Sequence, residues 1–328
     1  MASNKTVIKS LITFIVAATV CWTAFALFIG SLGQKGPLEE PVSVIIPKGA
    51  SVGAIAKQLQ DAGVINSPLK FRIGVRATFA DRTLQAGEYS FDPGISIREA
   101  ITKISGGDVL HRTVTLPEGL TVAEVTQRLM TTDGLFGPPL AFDEGALLPD
   151  TYAFRYGDKV TEMMRRMAVA MTDTVNAAWE LRAPDLPLEN PHDLLVLASI
   201  VEKETARDEE RDIVASVYVN RLKKGMKLQA DPTVIYGASG YTGDITNAHL
   251  KEDHAYNTYV HKGLPPGPIC NPGRASIQAA AQPAQTEYLF FVADGNGGHL
   301  FAKTYEEHRK NVQDFLRKQK ELLKNAEK

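Results

Sequence analysis

Two glutamates at the end of an apolar segment are the residues of this chain best suited to chemistry. Glu202 and Glu204 close residues 194–205, which read LLVLASIVEKET. A helix that is apolar on most sides is normally buried, and a buried carboxylate is costly unless it is paired, hydrogen-bonded or used in catalysis. The segment therefore predicts an acid–base catalyst, or two acids that are half-exposed at a helix end or that pair with Arg207 and Arg211.

Helical geometry separates the two carboxylates. At about 100° per residue, Glu204 lies beside Ile200 and Val201, whereas Glu202 points to a different side. They cannot therefore flank one bond as the acid–base pair of an ordinary glycosidase does. Desolvation by apolar neighbours should raise the pKa of Glu204, which suits a general acid near neutral pH.

A polar stretch between residues 229 and 274, predicted to be irregular, offers groups that bind sugars. Its aromatic, amide, hydroxyl and carboxylate side chains include Gln229, Asp231, Thr233, Tyr236, Asn257 and Tyr259. Sugars require flat apolar faces for stacking together with polar groups for their hydroxyls. The stretch has more aromatic residues and less charge than is typical of intrinsically disordered segments. We therefore predict that these side chains bind a glycan.

Composition argues against several other classes of protein. The chain has 328 residues, a formal net charge of −2 and 23% charged residues, which is unlike a nucleic-acid-binding protein. Cys21 and Cys270 offer neither a disulfide framework nor a zinc knuckle. No pair among His249, His254 and His261 has the spacing of a zinc site. We expect no metal, no organic cofactor and no nucleic-acid partner.

An uncharged N-terminal run predicts a membrane anchor. Residues 11–32 carry no charge and are long enough to cross a bilayer, which takes about 20 apolar residues. Lys5 and Lys9 precede the run, so the positive-inside bias places residues 1–10 in the cytoplasm and the rest of the chain outside. A cleaved signal peptide is the alternative, although its apolar region would be shorter. Residues 33–41 form a short tether.

One pattern occurs three times after the tether. A strand, a glycine turn, a Ser or Thr N-cap and a helix follow one another at residues 44–52, 89–97 and 114–122. Units this small must pack together to bury their apolar faces. We predict a small βα module over residues 42–110, with the third unit in a catalytic domain over residues 111–328. The module is either a simple support or a polymer-binding unit.

The remainder of the chain is predicted to be mainly helical. Methionines recur at helical spacing between residues 164 and 179 and are expected in the core. Asp193 is the candidate N-cap of the glutamate-bearing helix, and a second helix is expected over residues 209–224. A β-hairpin is expected around residues 295–298. The predicted fold class is α+β.

Several motifs in this chain resemble those of the endolytic murein transglycosylases, the YceG-like family. The motifs are LPDTY at 148–152, ASIVEKET at 198–205, LQADPTVIYG at 228–237, YNTY at 256–259, GLPPGPI at 263–269 and YLFFVADG at 288–295. The resemblance covers nearly the whole chain, the anchor included. It implies a single-pass inner-membrane protein with a LysM-like module and a helical catalytic domain of the lytic-transglycosylase type outside the cytoplasm.

The resemblance also implies a reaction. The family cleaves nascent glycan strands between N-acetylmuramic acid (MurNAc) and N-acetylglucosamine (GlcNAc), and its catalytic glutamate, the one followed by Thr, falls on Glu204. A single carboxylate suffices if the muramoyl 6-hydroxyl is the nucleophile, which gives 1,6-anhydroMurNAc ends and terminates elongation. Peptidoglycan strands, the membrane and cell-wall synthases are the expected partners. A membrane-tethered glycan-binding scaffold without catalysis is the alternative, and a small-molecule lyase fits the anchor poorly.

Overall fold

The structure, a computed structural model, describes residues 2–80, 83–238 and 243–326. It divides into two compact units. Unit 1 comprises Met1–Arg112 together with Ala153–Gly157, and unit 2 comprises Thr113–Tyr152 together with Asp158–Lys328. Helices and short strands occur in both, so the α+β prediction is confirmed.

Unit 1 begins with the long apolar helix α1 (Ala2–Ser31). Within it, Val7–Ser31 has the length and composition of a membrane-spanning helix. Its large apolar side chains are exposed, including Trp22 at 72%, which fits a single-pass membrane anchor. The predicted span extends one residue too far, because Leu32 lies outside the helix and is buried in the core of unit 1.

The body of unit 1 is a small α+β module. Its elements are β1 (Val42–Ile46), α2 (Val52–Asp61), α3 (Pro68–Ala77), β2 (Gly87–Phe91) and α4 (Ile97–Gly106). The two strands pair antiparallel, with Val42 opposite Phe91 and Ile46 opposite Gly87. The first two βα units are therefore confirmed, whereas α3 was not predicted from the repeat.

Side-chain N-caps begin the repeated helices as predicted. Ser51, Ser96 and Thr121 each accept a hydrogen bond from the backbone N–H three residues further on, at the starts of α2, α4 and α5 (Val122–Met130). Each cap satisfies one N–H group that the first helical turn leaves without a partner. The third βα unit, which combines β3 (His111–Thr115) with α5, is also confirmed.

Unit 2 is mainly helical. After α5 the elements of the chain are β4 (Leu135–Phe136), β5 (Thr151–Arg155), β6 (Asp158–Lys159), α6 (Val160–Glu180), α7 (Pro191–Glu204), α8 (Asp208–Lys223), α9 (Asp231–Gly237), α10 (Arg274–Ala281), β7 (Phe290–Ala293), β8 (His299–Ala302) and α11 (Tyr305–Ala326). All of them belong to unit 2 except β5, whose last three residues belong to unit 1. β3 pairs with β5 and β4 pairs with β6. β7 and β8 form the predicted hairpin.

The glutamate-bearing helix α7 lies in the core of unit 2, in contact with α6, α8 and α10. Leu197, Ile200 and Val201 have no exposed surface, so the prediction of a buried helix is confirmed. The methionines of α6, among them Met164 and Met167, are also in the core, as predicted. This packing fixes where the end of α7 lies.

Three local predictions need correction. Asn190, not Asp193, caps α7, because the Asn190 side chain accepts from Asp193 N at 3.1 Å while Asp193 already lies in the first turn. The second helix, α8, begins and ends one residue earlier than predicted. The stretch after residue 229 is not wholly irregular, since α9 and a 3₁₀ turn at His249–Lys251 lie within it.

Candidate active site

Glu204 is the last residue of α7, and the chain turns to an extended conformation at Thr205. The residue as a whole is half-buried rather than fully enclosed. Tyr218 of α8, which is itself buried, donates its hydroxyl hydrogen to Glu204 Oε1 at 2.5 Å. This bond fixes one of the two carboxyl oxygens.

Burial raises the pKa of Glu204 to about 7. The hydrogen bond from Tyr218 and the positive charge of Arg221 act in the opposite direction, whereas the negative charge of Asp231 raises the pKa further. A carboxyl with this pKa is populated both as acid and as carboxylate near neutral pH, which is what a group that first donates and then accepts a proton requires.

Arg221 is a buried cation whose hydrogen bonds go to neutral partners. Its Nε donates to Leu289 O at 2.6 Å and its Nη1 donates to Leu228 O. The guanidinium also lies 5.4 Å from the centre of the Phe290 ring. Because these contacts hold the side chain without neutralising it, its charge stays available to favour the ionised form of Glu204.

Sequence reasoning missed Tyr218 as a site residue and missed Arg221 altogether. Both lie on α8, among the buried apolar residues Val214, Ala215 and Val217. Their signal in the sequence is weak, because they are two polar side chains three residues apart in a mainly apolar part of a helix that also contains Ser216 and Asn220. Only the packing of α8 against α7 shows what they serve.

Two predicted substrate-binding residues lie in the electrostatic surroundings of Glu204. Tyr259 donates its hydroxyl hydrogen to Asp231 Oδ1 at 2.5 Å. Burial, together with this bond, raises the pKa of Tyr259, so its hydroxyl stays protonated and remains a donor. Asp231, at the start of α9, raises the pKa of Glu204 through its negative charge. The structure therefore brings Glu204, Asp231 and Tyr259 together.

Two other predicted substrate-binding residues face into the protein. Thr233 Oγ1 bonds to Ala230 O at 2.7 Å and lies 2.8 Å from Thr258 Oγ1. The Asn257 side chain donates to three carbonyls of the preceding loop and accepts from Tyr259 N at 2.9 Å. Both have 0% exposure. Direct glycan contact is at odds with this placement, so we reassign both to support of the loop.

Gln229 lies next to these loop-supporting residues, at the protein surface. Its side chain is exposed, and its backbone lies in the left-handed region, with φ of 51°. The Gln229 N–H donates to Thr258 O at 3.1 Å, which ties the chain before α9 to the YNTY segment. A non-glycine residue in this conformation is uncommon and is often found at functional sites.

Tyr236 forms a pair of aromatic rings with Tyr256. Its ring lies 4.8 Å from that of Tyr256, centre to centre, and the side chain is 36% exposed. Its hydroxyl bonds to Glu144, and burial is the main cause that raises the pKa of Tyr236 to about 12. Glu144 also accepts from Val122 N at 2.9 Å. The pair of rings offers the partly exposed flat surface that a sugar ring can stack on.

Glu202 points away from Glu204, as predicted. Its Oε2 accepts from Gly273 N at 2.9 Å, at the N-cap of α10. Neither arginine in the predicted pairing neutralises the two glutamates: Arg211 pairs with Asp208, and Arg207 donates to the hairpin carbonyl of residue 296. The pairing with these arginines is therefore wrong, whereas both glutamates are half-buried at the helix end, as the other alternative predicted. Glu202 holds the N-terminal end of α10.

Comparison with known proteins shows to which family this chain belongs. The YceG-like family model matches residues 44–314. The chain is 31% identical to the endolytic murein transglycosylase of Bacillus subtilis, over 84% of this chain and 85% of that one. It is 27% identical to the endolytic murein transglycosylase of Streptococcus pneumoniae, over 84% of this chain and 58% of that one.

A solved structure is also similar. The crystal structure of a yceG-like protein from Listeria monocytogenes matches with a TM-score of 0.53 and 29% identity, over 83% of this chain and 98% of that chain. The chain therefore belongs to the YceG-like family, as its motifs predicted.

Proposed function

We propose that this protein is an endolytic lytic transglycosylase that cleaves peptidoglycan glycan strands between MurNAc and GlcNAc. The observation that carries the proposal is Glu204, a half-buried residue whose carboxyl has its pKa raised to about 7 and accepts a hydrogen bond from Tyr218. The names of the relatives in Bacillus and Streptococcus support the substrate and the endolytic cut.

In the proposed reaction Glu204 acts twice. As an acid it gives its proton to the glycosidic oxygen while the bond from that oxygen to MurNAc C1 breaks, so GlcNAc leaves with a 4-hydroxyl. As a carboxylate it then takes the proton of the MurNAc 6-hydroxyl while that oxygen bonds to C1. The product end is 1,6-anhydroMurNAc, no water is consumed, and Glu204 is protonated again.

The surroundings of Glu204 fit this double role. Tyr218 stabilises the carboxylate and Asp231 favours the acid, so the pKa remains near neutral rather than far to either side. We propose that Tyr236, Tyr259, Asp231 and the exposed Gln229 line the glycan site. In this proposal Thr233 and Asn257 act by shaping the loop, because their polar groups are bonded inside the protein.

We further propose the topology that the anchor predicts. Residues 1–10 lie in the cytoplasm, α1 spans the inner membrane and both units lie outside, where nascent strands are made. Residues 42–110 would serve as a LysM-like module and residues 111–328 as the catalytic domain. Cleavage beside a cell-wall synthase would terminate glycan elongation.

The test is the chemistry of the new strand ends. The full chain, in detergent, is incubated with uncrosslinked glycan strands, and the product ends are analysed by mass. We expect 1,6-anhydroMurNAc ends, which Glu204→Gln abolishes and the matched Glu202→Gln retains. Ends that carry an added water, or an active Glu204→Gln variant, would contradict the mechanism. Strand binding without new ends would instead support the non-catalytic scaffold.

A further inference from the structure

The outward face of α3 combines apolar and cationic side chains. The exposed residues at helical spacing are Leu69, Arg72, Ile73 and Arg76. Leu69 is 63% exposed and Ile73 is 42% exposed, whereas Phe71 and Val75 on the inner face are buried. The sequence of α3 contains no acidic residue. A helix face of apolar and basic residues is typical of helices that lie on a membrane surface.

Phe79 continues this face just beyond the end of α3. Its side chain is 84% exposed, and its backbone adopts the left-handed conformation, with φ of 55°. The Phe79 N–H donates to Arg76 O at 3.2 Å and the Thr78 N–H donates to Gly74 O at 3.0 Å, so the turn is tied to the helix. An exposed aromatic ring on a fixed turn indicates a surface that contacts something apolar.

The same surface adjoins the end of α1. Phe79 lines a cavity of about 440 Å³ together with Ile29 and Leu32, which belong to the last turn of α1 and the residue after it. Leu32 also packs against α3, since a Cβ atom on Gly74 would lie 3.1 Å from Leu32 Cδ1. Arg98 of α4 joins them through its Nη2, which donates to Ile29 O at 2.6 Å.

The length of α1 places this junction at the membrane surface. The 25 residues Val7–Ser31 extend for about 37 Å, compared with about 30 Å for the hydrocarbon core. The last turn, which contains Ile29, therefore reaches the headgroup region. Phe79, beside Ile29, lies where aromatic side chains are favoured, and the cations of α3 lie near lipid phosphates.

We propose that the outward face of α3, together with Phe79, rests on an anionic phospholipid surface where α1 leaves the membrane. The inference rests on the proposed anchoring by α1. Phe79 inserts among the headgroups, and Arg72 and Arg76 contact the phosphates. Unit 1 thereby contacts the membrane surface directly and is not attached to the membrane through residues 33–41 alone.

The test uses depth-dependent quenching in the full chain. The protein is reconstituted into phosphatidylcholine–phosphatidylglycerol vesicles and carries a polarity-sensitive dye on one cysteine. Three sites are compared: native Cys21 within α1, Phe79→Cys, and Lys48→Cys, which is exposed in the turn at the end of β1 distant from the tether. The last two also carry Cys21→Ala. Cys270 is buried and stays in place.

Lipids with spin-labelled chains should quench the dye at position 79 at least about twofold more than the dye at position 48. An Arg72→Gln/Arg76→Gln double variant should reduce quenching at 79, and only in vesicles that contain phosphatidylglycerol. Equal quenching at 79 and 48 while Cys21 is strongly quenched would overturn the docking proposal alone. Absence of quenching at Cys21 would instead overturn the anchor on which it rests.

Discussion

Opposing influences set the acidity of one residue, Glu204. Burial and the negative charge of Asp231 favour the protonated form, whereas the Tyr218 hydroxyl and Arg221 favour the carboxylate. The balance leaves the pKa at about 7, compared with an ordinary value of 4.5. Such a carboxyl costs stability when it is ionised, and this cost gives a test of its environment that is independent of activity.

Glu204→Gln should stabilise the protein at alkaline pH. Between pH 4.5 and 7 the unfolded chain loses the carboxyl proton while the folded protein keeps it, so the free energy of unfolding falls as pH rises. Glutamine cannot ionise and can still accept from Tyr218. We expect the variant to be about 1–3 kcal/mol more stable at pH 8 and nearly unchanged at pH 4.5. Denaturant unfolding at both pH values measures this, and equal gains at the two would contradict a raised pKa.

Tyr218→Phe and Asp231→Asn should move the pH profile in opposite directions. Loss of the Tyr218 hydroxyl removes a bond that favours the carboxylate, so the pKa of Glu204 rises and the alkaline limb of kcat/KM moves up. Loss of the Asp231 charge lowers that pKa, so the limb moves down. Each change should be about one pH unit. A shift of the alkaline limb in the same direction in both variants would contradict these opposite effects on the pKa of Glu204.

At the scale of elements, the loop and helix ends around α7 are held by side-chain bonds to backbone groups. Glu202 caps α10 through Gly273, and Ser199 Oγ accepts from Ile269 N at 3.0 Å. The Asn257 side chain donates hydrogen bonds to backbone carbonyls of the loop before it. These bonds let irregular chain present a defined surface next to α7, because buried backbone groups are satisfied by side chains instead of by a sheet.

Glu202 should matter for stability through its role as an acceptor. Glu202→Ala leaves Gly273 N without its partner and should lower the free energy of unfolding by about 1–3 kcal/mol. Glu202→Gln keeps an acceptor oxygen and removes repulsion from Glu118, whose own pKa is raised by burial and by the Glu202 charge. It should therefore be close to the parent protein. Chemical denaturation of the two variants measures this difference. An equal loss of unfolding free energy in both variants would show that the charge of Glu202, and not its acceptor oxygen, is responsible.

The tilted pair of rings formed by Tyr236 of α9 and Tyr256 of the YNTY segment predicts the glycan surface. Tyr236→Ala should weaken binding of glycan strands by about 1–3 kcal/mol if the ring is an anchor. Tyr236→Phe keeps the ring, loses only the bond to Glu144, and should bind nearly as well. Affinity is measured in a Glu204→Gln background so that strands are not cut. Unchanged affinity in a folded Tyr236→Ala protein would remove this residue from the site.

At the scale of the whole molecule, the anchor and the proposed chemistry require a single orientation. A reporter enzyme that works only outside the cytoplasm, fused after Lys328, should be active in cells, and the N-terminus should remain attached in the mature protein. Immunoblotting and N-terminal sequencing measure this. A mature protein that begins near Leu27 would show that the segment is cleaved, and an inactive reporter would reverse the proposed topology.

The features that the sequence predicted correctly are those that depend on neighbours along the chain. The apolar run of α7, the caps Ser51, Ser96 and Thr121, and the hairpin all follow from local periodicity and turn chemistry. The opposite directions of Glu202 and Glu204 follow from helix geometry alone. The error at Asp193 was also local, because the helix begins at Pro191 and its cap is the residue before that proline, Asn190.

What the tertiary structure decided is how groups distant in sequence meet. Tyr218, Arg221 and Asp231 reach Glu204 from α8 and α9, and their hydrogen bond and charges help to set its pKa. No periodicity encodes those distances. The inward orientation of Thr233 and Asn257 was equally hidden, because a polar side chain in a loop is the same residue type whether it binds a ligand or a buried carbonyl. Only the fold determines which partner each polar group finds.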